Sequence, residues 1–157
     1  MIEAFFSNIY AILGTVLLAC FGGYIAWRNG HKARIAIACI TFRSDVLGAL
    51  SGLYPIPVNW PDSGGAVNHM LAAAFPALQR AVAEFRDVLP RRKRRGFDKA
   101  WHAYRAGSDN ASATQQGHYY QYMGYHEPGT SDASGHTKSK GLFHTNVQNL
   151  LNFANET

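Results

Sequence analysis

Apolar side chains fill the first part of the chain without interruption. Ala4 to Trp27 (AFFSNIYAILGTVLLACFGGYIAW) carries no charge over 24 positions. A bilayer core needs roughly 20 predominantly apolar residues in one helix, so this run predicts a single transmembrane helix. A cleavable leader needs a basic start, a short apolar core and a small-x-small cleavage site. Here the only charges ahead of the run are the amino terminus and Glu3, and the run is too long. A core helix of a globular domain would be shorter and would carry a polar stripe. The flank that follows, RNGHKAR, holds Arg28, Lys32 and Arg34 and no acid. The positive-inside bias then predicts residues 1–3 as a short external head and residues 28–157 in the cytoplasm.

Beyond the flank the pattern turns periodic. Ile35, Cys39, Phe42, Val46, Leu50 and Leu53 step by three and four, as on one face of a helix. Ile35, Ile37 and Cys39 also alternate, which leaves a short strand near 35–42 as the competing reading. Arg43 and Asp45 exclude a second span, since either is costly at mid-bilayer. Gly52 and Pro55 end the element, and Pro55 to Pro61 reads as an extended linker. Asp62 or Ser63 opens the next helix, from about Ala66, and Pro76 either kinks it or begins a fresh one. Leu78, Val82, Phe85 and Leu89 form the clearest amphipathic face, and Pro90 closes it. Arg91 to Gly96 then links to a short helix with Phe97, Trp101 and Tyr104 on one side. The two faces predict a helical hairpin over residues 77–106. Polar stretches near 107–117 and 127–140 read as mobile loops. The chain ends on a helix in which Phe143, Val147, Leu150, Leu151 and Ala154 share a face. The fold class is mainly α: one N-terminal transmembrane helix and a small helical domain.

Composition adds a charge. All 15 Lys and Arg follow the apolar run, against nine of the ten acids, a formal +6 over residues 28–157. About 130 residues suffice for one compact domain. Cys20 and Cys39 are too few for a disulfide framework.

Two features carry candidate contacts. Ser7, Ala11, Thr15, Ala19 and Gly23 fall at i+4 spacing, a small-residue ridge of the kind through which two spans associate in lipid. The competing reading is composition, because nine of the 24 positions are Gly, Ala, Ser or Thr. Arg91, Arg92, Lys93, Arg94 and Arg95 form the strongest signal outside the run. Near a membrane each cation is worth about 1 kcal/mol against anionic lipid. A nucleic-acid phosphate is the rival partner. The bland alternative is a solvated loop after a helix end, where cations suit the dipole.

Catalytic and metal motifs are missing. No His pairs at i+4 with a neighbouring Glu as a helical zinc site requires, so no metal or cofactor is assigned. Gly129 to Thr137 fails as a phosphate loop: the spacer is one residue too long and His136 stands in the lysine position. No catalytic residue is assigned. The His118 to Glu127 segment, rich in tyrosine, is the one place an unrecognised enzyme site would fall.

The strings FRSDVLGALSGLYP, WP, FPALQRAVAEFRDVLP, RRGFDKAWHAYR, QYM and FHTNVQNLLNFA, spread over most of residues 35–154, resemble a group of small membrane-anchored proteins from proteobacteria. That group has no assigned activity, so the resemblance implies a bacterial inner membrane and nothing about chemistry. The expected function is that of a membrane-tethered, non-enzymatic interaction protein. It would contact anionic headgroups or a protein partner and self-associate through its span. A tethered effector or enzyme and a tethered nucleic-acid binder are the alternatives.

Overall fold

The computed structural model describes residues 2–107, 119–123 and 132–155, with the side chains of 14–107, 119–123 and 137–155. Among the described residues there are four α-helices, α1 (Ile2–Ala49), α2 (Gly64–Val88), α3 (Arg91–Ala106) and α4 (Asp132–Asn152), with a 3-10 turn at Tyr120–Tyr122. The chain divides into two compact units, Met1–Ile37 and Ala38–Thr157.

In the first unit every described side chain from Gly14 to Arg34 is exposed. Leu18 is 74% exposed, Phe21 64% and Trp27 63%, and these residues point to different sides of the helix. Among the described residues no helix is long and apolar enough to cross a membrane. Described side chains begin at Gly14, so they cover only the latter part of the run from Ala4 to Trp27.

In the second unit, the end of α1 shows why periodicity decides. Cys39, Phe42, Val46 and Leu50 are buried at steps of three and four, while Ile40, Thr41, Ser44 and Gly48 are exposed. The strand reading of residues 35–42 fails for that reason. Alternation would have sent Phe42 and Cys39 to opposite faces, whereas the helix puts both against one core.

Ser63 caps α2, its Oγ accepting from the Ala66 N–H at 3.3 Å, as the sequence suggests. The helix continues through Pro76. Ala72, Ala73 and Pro76 all face solvent, so the carbonyl freed by the missing N–H can turn to water, while Leu71 and Leu78 stay buried on the other side. Neither end of the helix is lost.

Arg91 to Gly96, expected as a link, forms the first turns of α3. Pro90 precedes it with extended ψ of 141° and supplies the sharp corner from α2. The predicted hairpin faces do meet: Phe85 and Phe97 lie edge to face at 5.5 Å, and Phe75 stacks on Trp101 at 6.2 Å. Phe42 joins them, stacked on Phe85 at 4.3 Å. Such ring pairs add to plain area burial.

The main partner of α3 is α4. Phe143, Val147, Leu150 and Leu151 form its buried face, and Phe143 meets the Tyr122 ring at 5.3 Å. Residues 132–140, expected within a mobile loop, are helical, and Ser139 is buried. Residues 108–118 and 124–131, which hold the rest of the two expected loops, lie outside the described residues.

Candidate functional site

The basic run does not act as one group. Arg94 turns back on the end of α2: its Nε donates to the Leu89 carbonyl at 3.0 Å and an Nη to the Asp87 carbonyl at 2.8 Å. Those carbonyls are among the four that every helix end leaves without an internal partner. Arg94 is thus part of the corner. Lys93 is half-buried and also engaged. Arg91, Arg92 and Arg95 are exposed, with no ion-pair or hydrogen-bond partner among the described residues. The five-residue run is therefore three outward cations and two inward ones.

An ion pair fixes the same corner. Arg86 near the end of α2 holds Asp98 in α3 by two parallel bonds, Nε to Oδ1 at 2.6 Å and Nη2 to Oδ2 at 3.0 Å. The guanidinium holds the Asp98 carboxyl below its ordinary range, and the carboxylate raises Arg86. Both groups are partly exposed, so solvent screens the pair. Asp98 is consequently unavailable to neutralise the outward cations.

Within the candidate enzyme segment, Tyr119 and Tyr122 are core residues. The end of α3 presents carbonyls that this segment caps. Gln121 Nε2 donates to the Ala103 and Tyr104 carbonyls at 2.8 and 3.0 Å, and the Tyr122 hydroxyl donates to the Tyr104 carbonyl at 2.8 Å. The Tyr119 N–H donates to the Arg105 carbonyl at 2.9 Å. Tyr119 reaches this with φ of +69°, the left-handed region that few non-glycine residues enter. Asn146 of α4 closes the set, donating to the Tyr122 hydroxyl at 2.9 Å. Burial disfavours the phenolate in all three tyrosines here. Tyr104 and Tyr119 are pushed far above the usual value, and Tyr122 to about 12. These are neutral phenols serving as packing and capping groups. His118, His126 and Glu127 lie outside the described residues.

Of the small-residue ridge, Thr15, Ala19 and Gly23 are exposed, while the side chains of Ser7 and Ala11 lie outside the described set. A methyl group placed on Gly23 would meet nothing within 4 Å.

The periodicity of α3 also brings in residues that the basic run alone does not flag. Lys99 and His102 are exposed and continue the face of Arg92 and Arg95 by steps of three and four. The signal was in the sequence: Arg95 to Lys99 is an i+4 pair once the run is taken as helical. Arg105 instead turns inward, its guanidinium 5.4 Å from the Phe75 ring centre and 5.7 Å from that of Trp101.

Compared with protein-family models, curated proteins and solved structures, the chain matches none. The resemblance of the strings quoted above gains no support from these comparisons, and the function rests on the geometry.

Proposed function

We propose that this protein is a membrane-tethered interaction protein that acts by contact and not by catalysis. Residues 4–27 cross the bacterial inner membrane, the N-terminus is outside, and residues 28–157 are cytoplasmic. One observation carries the reading: from Gly14 to Trp27 every residue is exposed and none is charged, on any side of α1. A helix apolar all round needs apolar surroundings all round, and lipid supplies them. The cations Arg28, Lys32 and Arg34 at its end support the orientation. Self-association through Ser7, Ala11, Thr15, Ala19 and Gly23 belongs to the same reading, because small residues let backbones approach in lipid.

The packing and capping roles of Tyr119 and Tyr122 weigh against the enzyme alternative, since buried neutral phenols offer no reactive surface. Topology is the test. Reporters that are active on one side of the membrane, fused after residue 157, should report a cytoplasmic C-terminus. An external C-terminus overturns the orientation, and a chain released by carbonate wash overturns the span.

A further inference from the structure

We infer that the outward face of α3 is a phosphate-binding ridge that lies on the anionic headgroups of the bilayer, formed by Arg91, Arg92, Arg95 and Lys99. The inference rests on the tethered reading above and differs from the five-residue run: it removes Lys93 and Arg94 and adds Lys99.

At 3.6 residues per turn the four cations fall within an arc of about 100°, opposite the buried Phe97 and Tyr104. The only other exposed residues of α3 are Gly96 and His102, and its half-exposed acid lies at the edge of the arc, about 20° beyond Arg91. With His102 the face extends about 17 Å along the helix. Asp98, the one acid of α3, is occupied by Arg86.

Helix stability does not explain this placement. The first turn of α3 has no acid and no side-chain cap, and its cations stand at the positive end of the helix dipole. That arrangement is locally unfavourable. The same dipole adds its positive potential to the cations, so a layer of phosphates gains from both. Three of the four cations are arginine, whose planar fork suits phosphate oxygens.

Lipid is favoured over nucleic acid by what else the face lacks. The aromatics of α3 are turned inward: Phe97 and Tyr104 are buried, and Trp101 stacks on Phe75 and Tyr104. The one exposed ring of α3 is the His102 imidazole, and no Asn or Gln is present to read a base. A tether also holds the domain beside headgroups, where even modest attraction per residue is effective.

The test uses the unmodified full chain, reconstituted in phosphatidylcholine vesicles with or without phosphatidylglycerol. Arginines are modified with hydroxyphenylglyoxal and lysines by acetylation, and rates are read by mass spectrometry. Arg80 on α2, with its side chain 69% exposed, is the internal control. Arg91, Arg92, Arg95 and Lys99 should each react about fivefold more slowly on the anionic vesicles, and raised salt should restore the rate. Arg80 should not change. Equal rates on both vesicles overturn the ridge. So does protection by a DNA oligomer on neutral vesicles without protection by anionic lipid, which would assign the face to nucleic acid. Flotation separates the two readings. A chain that floats only with anionic vesicles, with the ridge protected, keeps the ridge and removes the tether. One that floats with neither removes both.

Discussion

Two stretches of α1 are rich in apolar residues, and their side chains meet opposite fates. From Val16 to Trp27 the large ones are exposed whichever way they point. From Cys39 to Leu50 they are buried at four positions and absent from most of the rest, where Arg43, Ser44 and Asp45 take their place. Backbone, helix and hydrogen bonding are the same in both. The difference is periodicity. An apolar stripe asks for one packing partner, and α2 and α3 provide it through Phe85 and Phe97. An unbroken apolar cylinder asks for an apolar medium. Stability of the helical unit should therefore depend on the second stretch and be indifferent to the first.

Alkali gives the largest test of where that stability sits. Tyr104, Tyr119 and Tyr122 keep their protons in the fold beyond the pH at which an unfolded tyrosine, near 10, loses its own. Their contribution is whole below that pH and is lost as pH rises above it. Each removes up to about 1.4 kcal/mol per pH unit, about 4 kcal/mol per unit for the three. Phenolate absorbance from these residues should appear together with loss of helical circular dichroism. If it appears near pH 10 with the helices intact, the tyrosines are not the buried caps described here.

Matched truncations test the comparison directly. Phe97 is fully buried among Phe42, Phe85 and Phe153. Phe97→Ala should cost about 3–5 kcal/mol in denaturant unfolding of the full chain in detergent. Phe21→Ala, the same deletion in the exposed stretch, should leave the midpoint of that transition unchanged. An equal loss from both would mean that the first stretch packs on protein after all.

Next in size is the polar link between α4 and the end of α3. Asn146→Ala removes the donor to the Tyr122 hydroxyl in a buried site and should cost about 1–3 kcal/mol. In the Tyr122→Phe background the same change should cost less, because the partner is already gone. A cost that stays the same in both backgrounds would assign Asn146 a role through the Ala103 carbonyl instead, 3.4 Å away.

How much of this was legible follows from range. The faces of the end of α1, of α2 and of α4 were readable because apolar spacing alone sets them. So was Ser63, whose hydroxyl caps its own turn. Pro76 was ambiguous because local geometry favours a break, whereas packing of Leu71 and Leu78 across it keeps one helix. The basic run and residues 132–140 read as loops since charge repulsion and Gly/Ser content disfavour helix locally. Arg94 reaches back only five and seven residues, but across a corner whose shape the pattern does not give, and burial of Ser139 is a tertiary gain. Tyr119 and Tyr122 were the least readable. Their capping of α3 needs a left-handed backbone at Tyr119 and carbonyls 14 and 18 residues earlier in the chain.

The smallest effect separates two neighbours in the basic run. Arg94→Ala strips two donors from the α2 carbonyls of Leu89 and Asp87. Water can reach that partly exposed corner and replace them, so the loss should be about 1 kcal/mol. Arg92→Ala removes an exposed cation from the positive end of α3 and should change stability by less than about 0.5 kcal/mol, in the stabilising direction. Thermal unfolding of both variants in neutral detergent gives the order. Two substitutions in one five-residue run should then move in opposite directions, because one side chain faces the fold and the other faces away. Equal destabilisation would return the whole run to the helix corner and leave α3 without an outward arginine to spare for phosphate.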